Sequence, residues 1–122
     1  IMPMGGGTMR WVQTAGWGNA MRYMLTADRF DAHEALRLGL VQEVRPGKEV
    51  LSRALELAET IAAMAPVAVQ GAIRSARTFV EEGFEKAIRD LPRESLAILK
   101  TEDSREGMEA FVEKREAVYS GR

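Results

Sequence analysis

The apolar positions of the chain recur mostly at the three- and four-residue spacing of amphipathic helices. After a glycine-rich turn over residues 5–8, we predict a short helix that Thr8 caps and that runs to about Ala15. A second helix follows Gly16, and four more follow Gly47. The apolar faces of these five later helices are formed by Trp17, Met21, Met24 and Leu25; Val50, Ala54, Leu57, Ala58 and Ile61; Val69, Ala72, Ile73, Ala76 and Val80; Phe84, Ala87, Ile88 and Leu91; and Met108, Phe111, Val112 and Val118. The pattern predicts a mostly helical chain.

Two of these helices contain residues that predict an interruption or a starting point. Pro92 follows Leu91 in the predicted helix that begins near Phe84, and because an interior proline costs a helix about 3 kcal/mol we predict a kink or a break near Asp90. The last helix is expected to open at Asp103 or Ser104, since Asp103 and Glu106 have capping-box spacing.

Residues 25–44 combine several local signals in a short stretch. Asp31 and Glu34 again have the spacing of a capping box. Gly39 then supplies the left-handed residue that ends a short helix. The apolar run from Leu40 to Val44 predicts one short strand.

Composition narrows the classes of function. The 122 residues allow one small domain, and 17 basic against 18 acidic residues give no electrostatic reason to expect nucleic acid or a membrane as partner. The lack of cysteine excludes disulfides and thiol nucleophiles. No apolar stretch approaches the roughly 20 residues of a membrane helix. A cytoplasmic protein is the default expectation. Since Ile1 is not an initiator residue, we also expect the chain to begin partway through a longer one.

The candidate chemical groups are sparse. The turn at residues 5–8 lacks the Gly-Lys-Ser/Thr ending of a phosphate loop. His33 is the only histidine, and its place just after a helix cap, between Ala32 and Glu34, predicts an exposed side chain. No nucleophile or metal-ligand set stands at a recognisable spacing from it. The acidic pairs are expected on the solvated faces of helices; they are Glu56 with Glu59, Glu81 with Glu82, and Glu102 with Asp103.

Three blocks of sequence carry a family resemblance: Pro3 to Arg10, Leu25 to Val44, and Thr101 to Arg115. In this order they resemble the second half of the enoyl-CoA hydratase/isomerase (crotonase) family, over nearly the whole chain. The resemblance implies the C-terminal part of a ClpP/crotonase-like α/β spiral fold, mostly α with one short strand. It implies that residues 1–45 are the tail end of the spiral core and residues 46–122 a C-terminal helical domain.

The resemblance also implies the chemistry. Family hydratases add water to 2-trans-enoyl-CoA, as in fatty-acid oxidation, with glutamates as general acid and base and with backbone N–H groups that stabilise the enolate oxygen. By resemblance these groups lie upstream of Ile1. We therefore assign no catalytic residue and no metal ligand, and we expect the chain alone to be inactive. No cofactor is implied, because the CoA thioester is the substrate.

The resemblance implies three substrate-binding residues. Pro3 and Met4 match the edge of the acyl pocket, although many members have glycine where this chain has Met4. Lys114 matches a lysine near the CoA phosphates or adenine, and a solvated helix end is the simpler interpretation of it. Ser95 stands where members often place an aromatic residue near the adenine, and Phe111 is expected in the core.

Other functions stay open at this point. The reaction could be that of an enoyl-CoA isomerase or of another crotonase-family acyl-CoA enzyme, because members differ in groups outside this chain. A non-catalytic helical interaction module is the alternative from another class, since methionine and tryptophan side chains near the N-terminus form an adaptable apolar surface. The resemblance also implies a homo-oligomer, a trimer or a hexamer of paired trimers, with acyl-CoA as the ligand.

Overall fold

Helices dominate the computed structural model, which describes residues 5–122. They are α1 (Gly7–Ala15), α2 (Trp17–Thr26), α3 (Ala32–Arg37), α4 (Val50–Ala62), α5 (Pro66–Glu82), α6 (Phe84–Leu99) and α7 (Glu102–Glu113), with a 3-10 turn at Gly47–Glu49. The predicted mostly helical fold is confirmed. The chain divides into two units between Val50 and Leu51. The assignment of residues 1–45 to a spiral core and of 46–122 to a separate domain stays a prediction.

The first unit has a small aromatic core. Tyr23 is buried together with Ala15 and Leu38. The Phe30 ring contacts Tyr23, with ring centroids 4.7 Å apart, and meets the Trp11 ring edge-on at 5.6 Å. Such tilted and edge-to-face pairs are favourable because they place the positive ring edge against the negative ring face. This packing fixes α1 and α2 against the loop that leads into α3.

Both ends of α3 follow the prediction. The Asp31 carboxylate accepts a hydrogen bond from the Glu34 N–H at 2.9 Å. At the other end Gly39 has φ of 76°, and the Leu40 N–H donates to the Ala35 carbonyl at 2.9 Å. This i to i−5 bond beyond a left-handed residue is the Schellman motif. The predicted cap and the predicted glycine stop are both confirmed.

Two other predictions for this unit are wrong. The segment from Leu40 to Val44 forms no strand, because no other extended backbone in residues 5–122 pairs with it. Thr8 is not a cap either, since it lies inside α1. The cap is Gly6, with φ of 84° and no side-chain bond. Glycine adopts this conformation at little cost, so the helix begins one residue before Thr8.

In the second unit, α5 packs closely along α6. Gly71 is buried, and a Cβ atom built on it would lie 2.7 Å from Cδ1 of Ile98. Of the predicted kink or break near Asp90, the break is wrong, because α6 continues through Pro92 without interruption, and the kink stays a prediction. Residues on both sides of the proline, such as Ile88 and Ile98, line the same apolar cavity against α5. We attribute the continuity to this packing, which offsets the lost backbone hydrogen bond.

The bounds of α7 also differ from the prediction. The helix is capped by Thr101, whose Oγ1 accepts a hydrogen bond from the Ser104 N–H at 3.1 Å. It ends at Glu113, so Val118 is not part of its apolar stripe. Phe111 was expected in the core but is 86% exposed, because the face of α7 that carries it is uncovered in residues 5–122.

Candidate functional site

The C-terminal end of α7 has an unusual residue at its left-handed position. Lys114 has φ of 56° and ψ of 39°. Its N–H donates to the Phe111 carbonyl at 3.4 Å, and the Arg115 N–H donates to the Ala110 carbonyl at 3.1 Å. These two bonds form a Schellman motif, in which the left-handed residue is usually glycine. A side chain with a β-carbon is disfavoured there, so a lysine at this position calls for an explanation.

The side chains of Lys114 and Arg115 are used in different ways. The Arg115 guanidinium binds both carboxylate oxygens of Glu106, at 2.5 and 2.9 Å, and Glu113 at 2.6 Å. Lys114 is exposed, and no carboxylate of residues 5–122 forms an ion pair with it. Arg115 is therefore neutralised by acidic neighbours, while the ammonium group of Lys114 remains available to an anion.

Asp103 ties the end of the chain to the start of α7. It is only 2% exposed. Its carboxylate accepts hydrogen bonds from the Ser120 N–H at 2.6 Å, the Ser120 hydroxyl at 3.3 Å and the Gly121 N–H at 2.9 Å. Its own N–H donates to the Arg122 carbonyl at 3.0 Å. The prediction that Asp103 lies on a solvated helix face is wrong, because the C-terminal segment covers it and satisfies it with N–H and hydroxyl donors.

Glu106 forms a second set of contacts between α7 and the end of the chain, one helical turn after Asp103. Besides the Arg115 guanidinium, it accepts the Val118 N–H at 2.9 Å. The ion pair with Arg115, and then the bond from Val118, lower the pKa of Glu106 to about 2. The Tyr119 ring lies over Gly107, and its hydroxyl would be 3.3 Å from a Cβ built there. Residues 115–122, which we call the C-terminal segment, thus lie against α7.

An ion pair of the same kind closes α3. The Glu34 carboxylate accepts hydrogen bonds from Arg37 at 2.6 Å and from the Tyr23 hydroxyl at 2.6 Å. These bonds lower the pKa of Glu34 to about 2. Lys86 similarly lowers the pKa of Asp90. These carboxylates are held ionised by cations or hydroxyl donors, which is the opposite of the raised pKa of a general acid.

The remaining predicted residues fall in separate places. Pro3 and Met4 lie outside the described residues. Ser95 lines an apolar cavity of about 530 Å³ between α5 and α6, and the predicted exposure of His33 is confirmed. No group of three or more acidic or histidine side chains within residues 5–122 is arranged to hold a metal ion.

Comparison with known proteins identifies the family. The family model for enoyl-CoA hydratase/isomerase matches residues 1–122. The chain belongs to the enoyl-CoA hydratase/isomerase family. Its crotonase fold is also shown by a solved structure from Mycobacterium abscessus, described as an enoyl-CoA hydratase/isomerase, with 47% identity and a TM-score of 0.94. That match covers 100% of this chain and 48% of the other.

Two further relatives agree with this assignment. The 2,3-dehydroadipyl-CoA hydratase of Escherichia coli is 33% identical over 100% of this chain and 48% of its own length. The enoyl-CoA hydratase structure from Bacillus anthracis has 33% identity and a TM-score of 0.92, and the match covers 100% of this chain and 47% of that one. The chain thus spans about half the length of the enoyl-CoA hydratase/isomerase relatives it matches. None of the described helices is both long and apolar enough to cross a bilayer.

The sequence contained a signal for the contacts that Asp103 and Glu106 make with the C-terminal segment. Our prediction interpreted that signal in another way. Asp103 and Glu106 are three residues apart, and such residues lie on one face of a helix. We interpreted the spacing as a capping box. The same spacing also places two carboxylates in line toward the C-terminal segment, which is what the structure contains.

Proposed function

We propose that this chain is the C-terminal portion of an enoyl-CoA hydratase that adds water to 2-trans-enoyl-CoA. The observation that carries the proposal is the family match over the whole chain, together with relatives named as hydratases. An enoyl-CoA isomerase or another acyl-CoA reaction of the crotonase family is the alternative. A helical module without enzymatic ancestry is disfavoured, because the match leaves no part of the chain outside the family.

We further propose that the contribution of Lys114 is a contact with an anionic group of CoA. Three observations support it. The side chain is exposed, it has no acidic partner in the described residues, and its backbone keeps a conformation that glycine would adopt at lower cost. A lysine is suited to such a contact because its ammonium is a compact charge on a long and flexible stem. Pro3 and Met4 are proposed to line the acyl pocket on resemblance alone.

The general acid and base, in this proposal, are residues of the parent protein outside this chain. The pKa directions support it, since the pKa values of Glu34, Asp90 and Glu106 are each shifted downward by nearby donors. A hydratase needs a carboxylate within hydrogen-bond reach of the attacking water and with a pKa near the working pH. Glu34 and Glu106 are fully engaged with arginine and do not meet this requirement.

The reaction is tested with crotonyl-CoA and the 122-residue chain. We expect no loss of the conjugated-thioester absorbance above the buffer rate, while CoA itself still binds in a parallel titration. Turnover by the purified chain would show that the acid and base lie within it. Failure of CoA to bind would contradict the proposed contact.

The role of Lys114 is tested by replacing its side chain. We expect Lys114→Ala to weaken CoA affinity by about threefold to tenfold at low salt, with a smaller difference at high salt because the contact is exposed. Lys100→Ala is the matched control, since Lys100 also caps a helix and is exposed but has a right-handed backbone. Equal affinities for the two variants would remove Lys114 from the site.

We also propose that the parent protein acts in the cytoplasm as a trimer or as paired trimers. Support comes from apolar side chains on α4 and α7 that are at least half exposed; they are Val50, Leu51, Leu55, Ile61, Met108, Phe111 and Val112. Sedimentation of the 122-residue chain is expected to show self-association through these faces. A clean monomer at micromolar concentration would contradict the assembly.

A further inference from the structure

The conformation of Lys114 requires something to hold it. A residue with a β-carbon in the left-handed region is disfavoured relative to the helical and extended regions. At the end of a helix this conformation carries a cost, which contacts with the surrounding chain can offset. The C-terminal segment is the part of the molecule that can do so, because it begins at Arg115, the residue directly after Lys114.

That segment is held at four successive places by two carboxylates of α7. Glu106 binds the Arg115 side chain and the Val118 N–H, and Asp103 binds Ser120 and Gly121. The bonds span 17 and 18 residues for Asp103 and 9 and 12 residues for Glu106. Because the chain is fixed on α7 from Arg115 onward, the backbone at Lys114 is constrained to a sharp left-handed turn.

We propose that Asp103 and Glu106 are positioning residues for Lys114, which they hold at the left-handed end of α7 with its ammonium presented to an anionic group of CoA. This inference rests on the proposed contact between Lys114 and CoA. In this proposal the two carboxylates bind protein groups only and do not contact the substrate. Asp103 acts through the backbone of the C-terminal segment. Glu106 acts through that backbone and through Arg115, whose charge it pairs, so that of the two neighbouring cations it is Lys114 that remains available.

The sign of the expected effect separates positioning from simple electrostatics. CoA is an anion, and a carboxylate near its site repels it. By Coulomb attraction alone, removing the negative charge of Glu106 would strengthen CoA binding. If Glu106 positions Lys114, the same change weakens binding, because the segment is released and the lysine turn is no longer fixed.

The experiment compares two neutralised carboxylates in the 122-residue chain. CoA affinity is measured by calorimetry for Glu106→Gln and for the matched control Glu113→Gln. Glu113 also pairs with Arg115, at 2.6 Å, but binds no backbone group of the C-terminal segment. We expect about threefold to tenfold weaker binding for Glu106→Gln, and affinity within about twofold of the original for Glu113→Gln.

Amide hydrogen exchange reports on the segment in the same samples. Faster exchange at Val118, Ser120 and Gly121 shows that the segment has been released. If Glu106→Gln leaves these amides protected, Glu106→Ala takes its place in the comparison, because it removes the same negative charge together with both acceptor oxygens.

The possible failures are distinguishable. If Lys114→Ala binds CoA as tightly as the original chain, the proposed contact itself is overturned. If Lys114→Ala weakens binding but release of the segment does not, the positioning role is overturned. The combined Glu106→Gln and Lys114→Ala variant should bind no more weakly than Lys114→Ala, and multiplied losses would show that the two residues act independently.

Discussion

The ends of α3 and α7 are built on the same backbone motif and differ in what holds them. Both close with a Schellman pattern after a left-handed residue, and both place a carboxylate with a pKa of about 2 in an ion pair with arginine. At α3 the left-handed residue is Gly39, and Glu34 pairs with Arg37 three residues away. At α7 it is Lys114, and Glu106 pairs with Arg115 nine residues away.

The difference shows two ways to end a helix. Glycine has no β-carbon, so the end of α3 is specified by local sequence and needs no further support. A lysine in the same conformation depends on contacts from distant residues, and the C-terminal segment supplies them. A position that needs such support is expected where the side chain itself has a use.

The largest expected effect comes from removing the buried carboxylate that holds the segment. Asp103→Ala should lower the free energy of unfolding of the second unit by about 3 kcal/mol, because it leaves several donors without an acceptor. Asp31→Ala, which removes a single capping bond at α3, should cost the first unit about 1 kcal/mol. Amide exchange in urea follows the second unit, and tryptophan fluorescence follows the first, which contains Trp11 and Trp17. Equal losses would mean that the contacts of Asp103 with the C-terminal segment add no more stability than one capping bond.

A reciprocal exchange at the two left-handed positions should give effects of opposite sign. Gly39→Ala should destabilise the first unit by about 1 kcal/mol, since the added Cβ meets only an ordinary 3.8 Å contact and the cost is conformational. Lys114→Gly should stabilise the end of α7 by up to about 1 kcal/mol while weakening CoA binding. Thermal unfolding and a CoA titration measure the two outcomes. A destabilised Lys114→Gly chain would show that the side chain is structural.

Lowering the pH should affect the ends of α3 and α7 over the same pH range, but with different structural consequences. Glu34 and Glu106 each have a pKa lowered from 4.5 to about 2 in the folded chain. A lowered pKa contributes stability that is complete above pH 4.5 and is lost as the pH falls toward 2. We expect the C-terminal segment to detach in this window, seen as faster exchange at Val118, whereas Gly39 keeps the end of α3 closed. If amide exchange at Val118 in the original chain does not change with pH, the role of the Glu106 ion pair is contradicted.

The parts of the fold that depend on neighbouring residues could be predicted from sequence. Asp31 and Gly39 act within a few positions of themselves, and both were placed correctly. The predictions that failed depended on distant packing. Pro92 does not interrupt α6 because residues before and after it pack on α5, and no local rule contains that information. The run from Leu40 to Val44 has strand composition but lacks a pairing partner in residues 5–122, and pairing is what defines a strand.

The candidate site also combines features that the sequence reveals with features that depend on distant contacts. Lys114 could be singled out by resemblance, but its left-handed backbone could not, since lysine has no preference for that region. The burial of Asp103 was equally hidden, because an acidic residue in the first turn of a helix is most often a solvated one. Only a contact between residues 17 positions apart makes it a structural anchor.

The close contact at Gly71 has a consequence for how this sequence can vary. The space beside Gly71 is filled by the outermost methyl of Ile98, so even one added carbon there must displace that methyl. A larger residue at position 71 therefore requires the Ile98 side chain to turn aside or to be shorter. The two positions are best varied together, and a substitution library that mutates them one at a time would underestimate what this helix pair tolerates.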